Sequence, residues 1–382
     1  MWFFTDEHRL LEKSVRDFAQ SVLGPRIEHL DETEQTDKSY FKKMADLGLL
    51  GITAPEEYGG TRMGCVAATI AMEEIGAVDA STALSDLAHS YLTVNNIATN
   101  ASEAQKQKYL PKMISGDWIG GMGMTEPGAG SDALAMRTRA VKKGDKYILN
   151  GTKMFITNAI IGDVFYVYAR TGDGRKDIST FIVESKFPGF KMGKKLKKMG
   201  MRASPTGELI FENCEVPDEN LVGGENQAVG HMLKNLDIER ITISGISLGI
   251  ARASLEVAVK YAKERHQFGK PIADFQMIQA MLADGQAEYE AARFYTYGSA
   301  QMWDEGKLTG SSSRALSAKV KLVAARMATK VALDAIQILG GYGYIKEFPV
   351  ERYMRDAKLM EIGAGSNEMM RVIAARDMLG DL

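Results

Sequence analysis

The sequence predicts a mainly helical α+β fold, and three observations carry that prediction. Apolar residues recur at helical spacing through the first 118 residues, short β-like runs separated by turn signals fill 119–225, and long helical periodicity returns from 226 to 382. A chain of 382 residues has room for two or three domains with a sizeable core. Its 45% hydrophobic and 25% charged residues are an ordinary globular balance. The three segments are read as an N-terminal helical domain (1–118), a middle β domain (119–225) and a C-terminal helical domain (226–382).

The first helix is expected over Glu7 to Phe18, with Thr5 and Asp6 as its cap. PEEYGG at 55–60 reads as a loop, and further helices are expected over Ala67–Ile75, Thr82–Ile97 and Ala104–Met113. Strand-like runs follow at Tyr147–Leu149, Met154–Thr157, Val164–Tyr168, Thr180–Val183 and Glu208–Phe211. NG at 150–151 and TGDG at 171–174 supply turn signals between them. Several short strands without intervening helices predict an antiparallel sheet or small barrel. Met232–Arg265 and Phe275–Glu305 then read as long helices. No internal repeat or low-complexity segment interrupts the pattern.

Composition excludes several classes. The net charge of −2 gives no reason to expect nucleic acid or an anionic membrane as partner. Cys65 and Cys214 lie too far apart for metal spacing or a disulfide framework, which fits a reducing compartment. The five histidines (His8, His29, His89, His231, His266) form no metal-ligand pattern, so no metal is expected. MWFFTDEHRL is too acidic and too short in apolar residues for a leader, and no run of about 18 apolar residues suggests a membrane span. The expectation is a cytoplasmic protein, or the processed form of an organellar one.

Common nucleotide fingerprints are missing: neither G-x-G-x-x-G after a strand nor a P-loop occurs. GISLG at 245–249 matches G-x-S-x-G in letters only, because it falls inside a helical pattern. Three stretches stand out. GMGMTEPGAGSD at 121–132 is either a plain turn or a place where backbone, Thr and Ser meet a ligand. QILGGYGY at 337–344 breaks a helix with glycines whose N–H groups suit a pyrophosphate. RHQFGKPI at 265–272 offers an arginine before a turn.

Glu239 stands in NLDIERITISGISLGI with Leu236 three residues before it and Ile243 four after; Ile246 and Ile250 continue the stripe. A glutamate on an apolar helix face has its pKa raised by burial, toward the range of a general base at neutral pH. The other reading is a buried acid satisfied by a partner. EIGAGSNEMM at 361–370 interrupts two helical runs with Gly363, Ala364 and Gly365, and is either a helix break or a loop that takes part in chemistry.

MTEPGAGSD, the FIT run, RHQFGKPI, QILGGYGY and RDAKLMEIGAG, in that order over nearly the whole chain, resemble the acyl-CoA dehydrogenase family. The resemblance implies a helical N-terminal domain, a middle β-barrel-like domain and a C-terminal four-helix bundle. It implies FAD as cofactor, held without a dinucleotide fingerprint, and a homotetramer. The implied reaction is α,β-dehydrogenation of an acyl-CoA, with electrons passed to an electron-transfer flavoprotein. Many members carry their catalytic glutamate in a Y-E-G sequence at the C-terminal loop, where this chain has Gly363-Ala364-Gly365. A smaller group, including isovaleryl-CoA dehydrogenases, has G-A-G there and a helix glutamate in LDIER, which places Glu239 as the base.

Carried over residue by residue, the resemblance implies that the Ala364 N–H binds the thioester oxygen. Met122, Met124, Thr125, Phe155 (in place of the usual tryptophan) and Thr157 should line the isoalloxazine. Ser131 should reach the cofactor or the CoA. Arg265, Gln276, Gln337, Gly340 and Gly341 should hold the ADP half across a subunit interface, with Ser366 and Glu368 closing over it. Asp237, Arg240 and Gly365 should lie with the substrate. Asp86, in STALSDLAHSYL, belongs either to a polar helix face shared with His89, Ser90 and Thr93, or to the acyl pocket as a second acid. The latter would admit cyclohexanecarboxyl-type thioesters besides short branched ones. An enoyl-CoA reductase, a lyase on the same scaffold and an oxidase are the other functions the resemblance leaves open.

Overall fold

The computed structural model describes residue 1 and residues 3–380. Helix α1 (Asp6–Phe18) starts at Thr5, whose hydroxyl accepts from His8 N–H while His8 Nδ1 accepts from Thr5 N–H, a reciprocal cap. Helices α2 (Ile27–Thr33) and α3 (Ser39–Asp46) follow, then α4 (Gly64–Gly76), which is buried from Cys65 onward. PEEYGG at 55–60 holds one 3₁₀ turn, Glu56–Tyr58.

The helix expected over 82–97 is not uniform. It is α5 (Ala80–Asp86), a π-helical stretch over Leu87–Val94, and α6 (Asn95–Asn100). His89 lies within the widened turns. Its Nδ1 accepts from Gly120 N–H at 2.9 Å and its Nε2 meets the Met113 carbonyl at 3.1 Å, so the ring spans two neighbouring elements. Helix α7 (Glu103–Ile114) closes this half.

The strands are β1 (Gly120–Gly123), β2 (Arg139–Lys143), β3 (Lys146–Thr157), β4 (Val164–Arg170), β5 (Ile178–Glu184), β6 (Phe190–Met192), β7 (Thr206–Pro217) and β8 (Leu221–Val222). They form one sheet in the order β6-β7-β3-β2-β4-β5-β8, with β1 beside β4. The expectation of an antiparallel sheet needs correction in two places, because β1–β4 and β2–β4 pair in parallel. The expected turn at Asn150-Gly151 is also absent. The strand runs straight through it, opposite a register shift whose extra residue lies on β7 (Leu149 faces Cys214 and Gly151 faces Phe211), with Gly151 at φ +146°, where a Cβ would lie 2.5 Å from Thr138 Oγ1.

The second helical half holds α8 (Ala228–Glu264), the short hairpin β9 (His266–Gln267) and β10 (Lys270–Pro271), α9 (Gln276–Asp304), α10 (Gly310–Leu339), α11 (Val350–Met360) and α12 (Asn367–Leu379). Helix α8 packs between α4 and α10. Gly249 gives α4 a close approach, since a Cβ there would sit 2.4 Å from the Glu73 carbonyl. By length and composition α8 passes for a membrane span, but 83% of its most apolar window is buried inside the structure, so protein already covers it.

Two glutamates of α4 tie the helices together. Glu73 accepts from Tyr289 (2.8 Å), Tyr297 (2.7 Å) and Arg293 (3.0 Å) of α9. Glu74 accepts from Arg252 of α8 (2.6 and 2.8 Å) and from Arg16 of α1 (2.9 and 3.0 Å). Both carboxylates are buried and fully partnered, the condition under which buried charge is tolerated.

Candidate active site

Glu239 sits in the first third of α8, 4% exposed. No group donates to its carboxylate, and Oε2 is buried without a partner. Burial raises its pKa from 4.5 to about 7, against the pull of Arg240 and Lys321. Those two cations also fasten the loop between α11 and α12. Arg240 Nε donates to the Ala364 carbonyl at 3.4 Å, and Lys321 Nζ, from α10, donates to the Gly365 carbonyl at 2.8 Å. Ala364 (φ +54°) and Gly365 (φ +94°) are consecutive left-handed residues, which swing the chain from one helix into the next. Among the described residues the Ala364 N–H donates no hydrogen bond. The acid, the two cations and the acid-free loop are therefore one cluster. Asp237 belongs to it through Arg240 Nη1 at 3.5 Å and Ser317 Oγ at 3.4 Å.

Ser366 and Glu368 have local partners. Ser366 caps α12 by accepting from Met369 N–H at 3.3 Å, and Glu368 is exposed and paired with Arg371 at 3.0 Å.

The sheet brings a second group together. Met122, Met124 and Leu236 of α8 pack on the same apolar cluster, which joins β1 to the helix of Glu239. A Cβ at Gly121 would lie 2.7 Å from the Thr157 carbonyl, so β1 lies directly on the end of β3. Thr125 is held by Met154 N–H, which donates to its carbonyl at 2.8 Å. Phe155 occupies a β3 bulge at φ +60° and leaves the sheet, 65% exposed. Met122, Met124, Thr125, Phe155 and Thr157 thus line one region. Ser131 lies on an exposed part of the loop that follows.

Arg265, Gly340 and Gly341 meet elsewhere, in a cavity of about 710 Å³ walled by Phe268, Phe275 and Tyr342. The Arg265 guanidinium stands 5.6 Å from the Tyr342 ring centre. Gln276 opens α9 and Gln337 lies in the last turn of α10, both exposed and outside the cavity wall. None of the cavity's lining residues belongs to the Glu239 cluster or the 122–157 wall.

Asp86 is fully buried at the end of α5. Ser90 Oγ donates to Oδ1 at 2.6 Å, Oδ2 has no partner, and burial raises its pKa to about 7. Asp86, His89, Ser90 and Thr93, read as one polar helix face, are all buried. His89 is a satisfied core histidine whose pKa burial lowers to about 4.

Sequence reading missed Lys321 and the buried pair Lys153–Glu126 at 2.8 Å. Lys153 faces inward in step with Tyr147 and Leu149, but lysine is a residue type that sequence reading assigns to the solvent face. No group of three metal-ligating side chains exists among the described residues.

A buried unpaired acid, an unengaged backbone N–H and an exposed aromatic beside a Gly-rich strand suit a flavin-dependent oxidoreductase that removes a proton next to a carbonyl. The acyl-CoA dehydrogenase N-terminal, middle and C-terminal domain families match residues 5–117, 121–214 and 229–379. The chain belongs to the acyl-CoA dehydrogenase family and is an FAD-dependent enzyme. It is 44% identical to the mitochondrial isovaleryl-CoA dehydrogenase of Pongo abelii, over 99% of this chain and 90% of that protein. It is 43% identical to the mitochondrial 2-methylacyl-CoA dehydrogenase of Solanum tuberosum, over 98% and 90%. The butyryl-CoA dehydrogenase structure from Megasphaera elsdenii superposes with a TM-score of 0.95 at 38% identity, covering 98% of this chain and 99% of that one.

Proposed function

We propose that the enzyme dehydrogenates a short branched-chain or alicyclic acyl-CoA, with Glu239 as the base that takes the α-proton. The observation that carries this reading is the Glu239 carboxylate itself: buried, without a hydrogen bond, raised to about 7, and fastened beside a loop that has no acid of its own. Bound FAD supplies the acceptor for the β-hydride. The free Ala364 N–H donates to the thioester oxygen, where negative charge develops as the α-proton leaves. Arg240 and Lys321 hold that N–H in place through the Ala364 and Gly365 carbonyls and keep the Glu239 anion accessible near neutral pH. Asp237, Arg240, Gly365 and Ser131 flank the acyl-CoA.

The ring of FAD lies against Met122, Met124, Thr125, Phe155 and Thr157. Arg265, Gly340 and Gly341, with Gln276 and Gln337, take the ADP half from a neighbouring subunit of a homotetramer, and Ser366 and Glu368 close over it. Two separate groups of residues in one chain are what such sharing requires. The chain divides into domains at 118/119 and 225/226. Electrons pass to an electron-transfer flavoprotein, and the enzyme works in the cytoplasm or a mitochondrial matrix.

A second reading rests on Asp86. A buried acid with one unpartnered oxygen and a pKa of about 7 suits a cyclohexanecarboxyl-type substrate, from which it would remove a more distant proton. The same groups run in reverse as an enoyl-CoA reductase. Glu239 speaks against a lyase, which would need no α-base of this kind.

Anaerobic titration of the holoenzyme with a panel of acyl-CoAs tests the assignment. The preferred substrate should bleach the flavin, and Glu239→Gln should slow bleaching by at least ~100-fold. Equal rates in the two proteins would remove Glu239 from the mechanism.

A further inference from the structure

Lys153 is an ammonium with no solvent exposure, set four residues before the end of β3. It donates to Glu126 Oε1 at 2.8 Å and to the Met124 carbonyl at 3.2 Å, and lies 3.7 Å from Met136 Sδ. Glu126 accepts in addition from Arg137 N–H at 2.6 Å and Thr138 N–H at 2.9 Å, which clamps the loop that leaves the Gly-rich stretch. Burial lowers the Lys153 pKa to about 8, opposed by Glu126, and Glu126 stays below its ordinary value despite burial because Lys153 faces it. Both are charged at neutral pH. A buried ion pair is often replaceable by apolar side chains without loss of stability, so stability alone does not explain this one.

The Met124–Thr125 peptide offers a specific use. A trans peptide is planar, with its C=O and N–H on opposite sides. With the Met124 carbonyl turned to Lys153, the Thr125 N–H points away from the ammonium, and among the described residues it donates no hydrogen bond. The Thr125 carbonyl is fixed separately by Met154 N–H at 2.8 Å. We infer that Lys153 is a positioning residue that orients and polarises the Met124–Thr125 peptide, so that Thr125 N–H is presented to the FAD ring and donates to the negative charge gathering there on hydride transfer. A carbonyl bonded to a cation makes its own amide N–H the stronger donor. The inference rests on the proposed placement of the ring against residues 122–125 and 155–157.

The test compares wild type with three variants, as holoenzymes and after FAD removal. Lys153→Met alone leaves the Glu126 charge buried and unpaired, so it should lose stability whatever else Lys153 does. Lys153→Met combined with Glu126→Gln removes both charges and keeps an oxygen for the Arg137 and Thr138 N–H groups. That double variant should melt near wild type without FAD. It should nonetheless bind FAD at least about tenfold more weakly, and its two-electron midpoint should fall by about 30 mV or more, one tenfold step in the redox equilibrium. Recovery of FAD affinity and midpoint together with stability would make Lys153 a purely structural residue and overturn the inference. Phe155→Ala separates the two claims. An unchanged visible spectrum and FAD affinity in that variant would overturn the placement of the ring; a changed spectrum beside a wild-type midpoint in the double variant would overturn the role of Lys153 alone.

Discussion

Replacing Glu239 with glutamine should make the protein more stable at alkaline pH while removing most of its activity. The carboxyl rises from 4.5 in the unfolded chain to about 7 in the folded one, because burial disfavours the anion. At about 1.36 kcal/mol per tenfold change in proton affinity, that rise corresponds to roughly 3 kcal/mol. Between the two values the folded state still holds a proton that the unfolded state has released. Stability associated with this group is therefore complete below pH ~4.5, declines as pH rises, and is lost above about 7. Glutamine carries no such dependence. Urea unfolding of wild type and Glu239→Gln, both free of acyl-CoA, should give a difference that grows by up to ~3 kcal/mol in favour of the variant between pH 5 and pH 8. In the same range wild-type kcat/KM should rise as the carboxyl ionises. A stability difference that stays flat from pH 5 to pH 8 would mean that Glu239 is solvated or partnered, and would refute the argument for a buried, poised base.

Three further outcomes follow from named contacts. Asp86→Asn should lower turnover of alicyclic acyl-CoAs by at least ~10-fold and leave branched-chain turnover nearly unchanged; equal rates on every cyclic substrate in a stopped-flow assay would retire the second base. Glu74→Ala strips Arg252 and Arg16 of their shared carboxylate and should cost on the order of 3 kcal/mol in thermal or denaturant unfolding, with little change in the flavin spectrum of the folded fraction. Gly121→Ala places a methyl 2.7 Å from the Thr157 carbonyl and should force β1 off β3, seen as weakened FAD retention on gel filtration.

Legibility in the sequence followed the range of the interaction. The Glu239 stripe was readable because Leu236, Ile243, Ile246 and Ile250 repeat with the helical period, and those residues do lie on one buried helix. The π-helical turns over Leu87–Val94 were not readable, because a stretch of eight residues is too short for its apolar spacing to separate wide turns from ordinary ones. The bonds that His89 makes from this stretch, to Gly120 and Met113, span more than twenty residues of sequence. Strand β1 was missed since GGMG carries no β-branched residue; it exists because β4 offers Val164 to Val167 as a parallel partner. The NG pair in β3 deceived for a related reason: a glycine at positive φ serves a strand that passes a register shift as readily as it serves a hairpin. Residues that act through distant backbone, such as Lys321 on Gly365 and Lys153 on Met124, carry no local mark at all.

Carrying the acid on α8 rather than on the 361–366 loop has a structural consequence. Glu239 is flanked on its own helix by buried residues, so its acid is held among apolar neighbours. Helix α8 therefore carries an unfavourable charge in its first third. Arg252, thirteen residues further along the same helix, supplies a restraint: its bidentate contact to Glu74 locks α8 onto α4, and Glu74 recruits Arg16 while its neighbour Glu73 recruits α9. Destabilising and stabilising charge thus share one helix, and the Arg252–Glu74 contact offsets part of what the buried Glu239 costs.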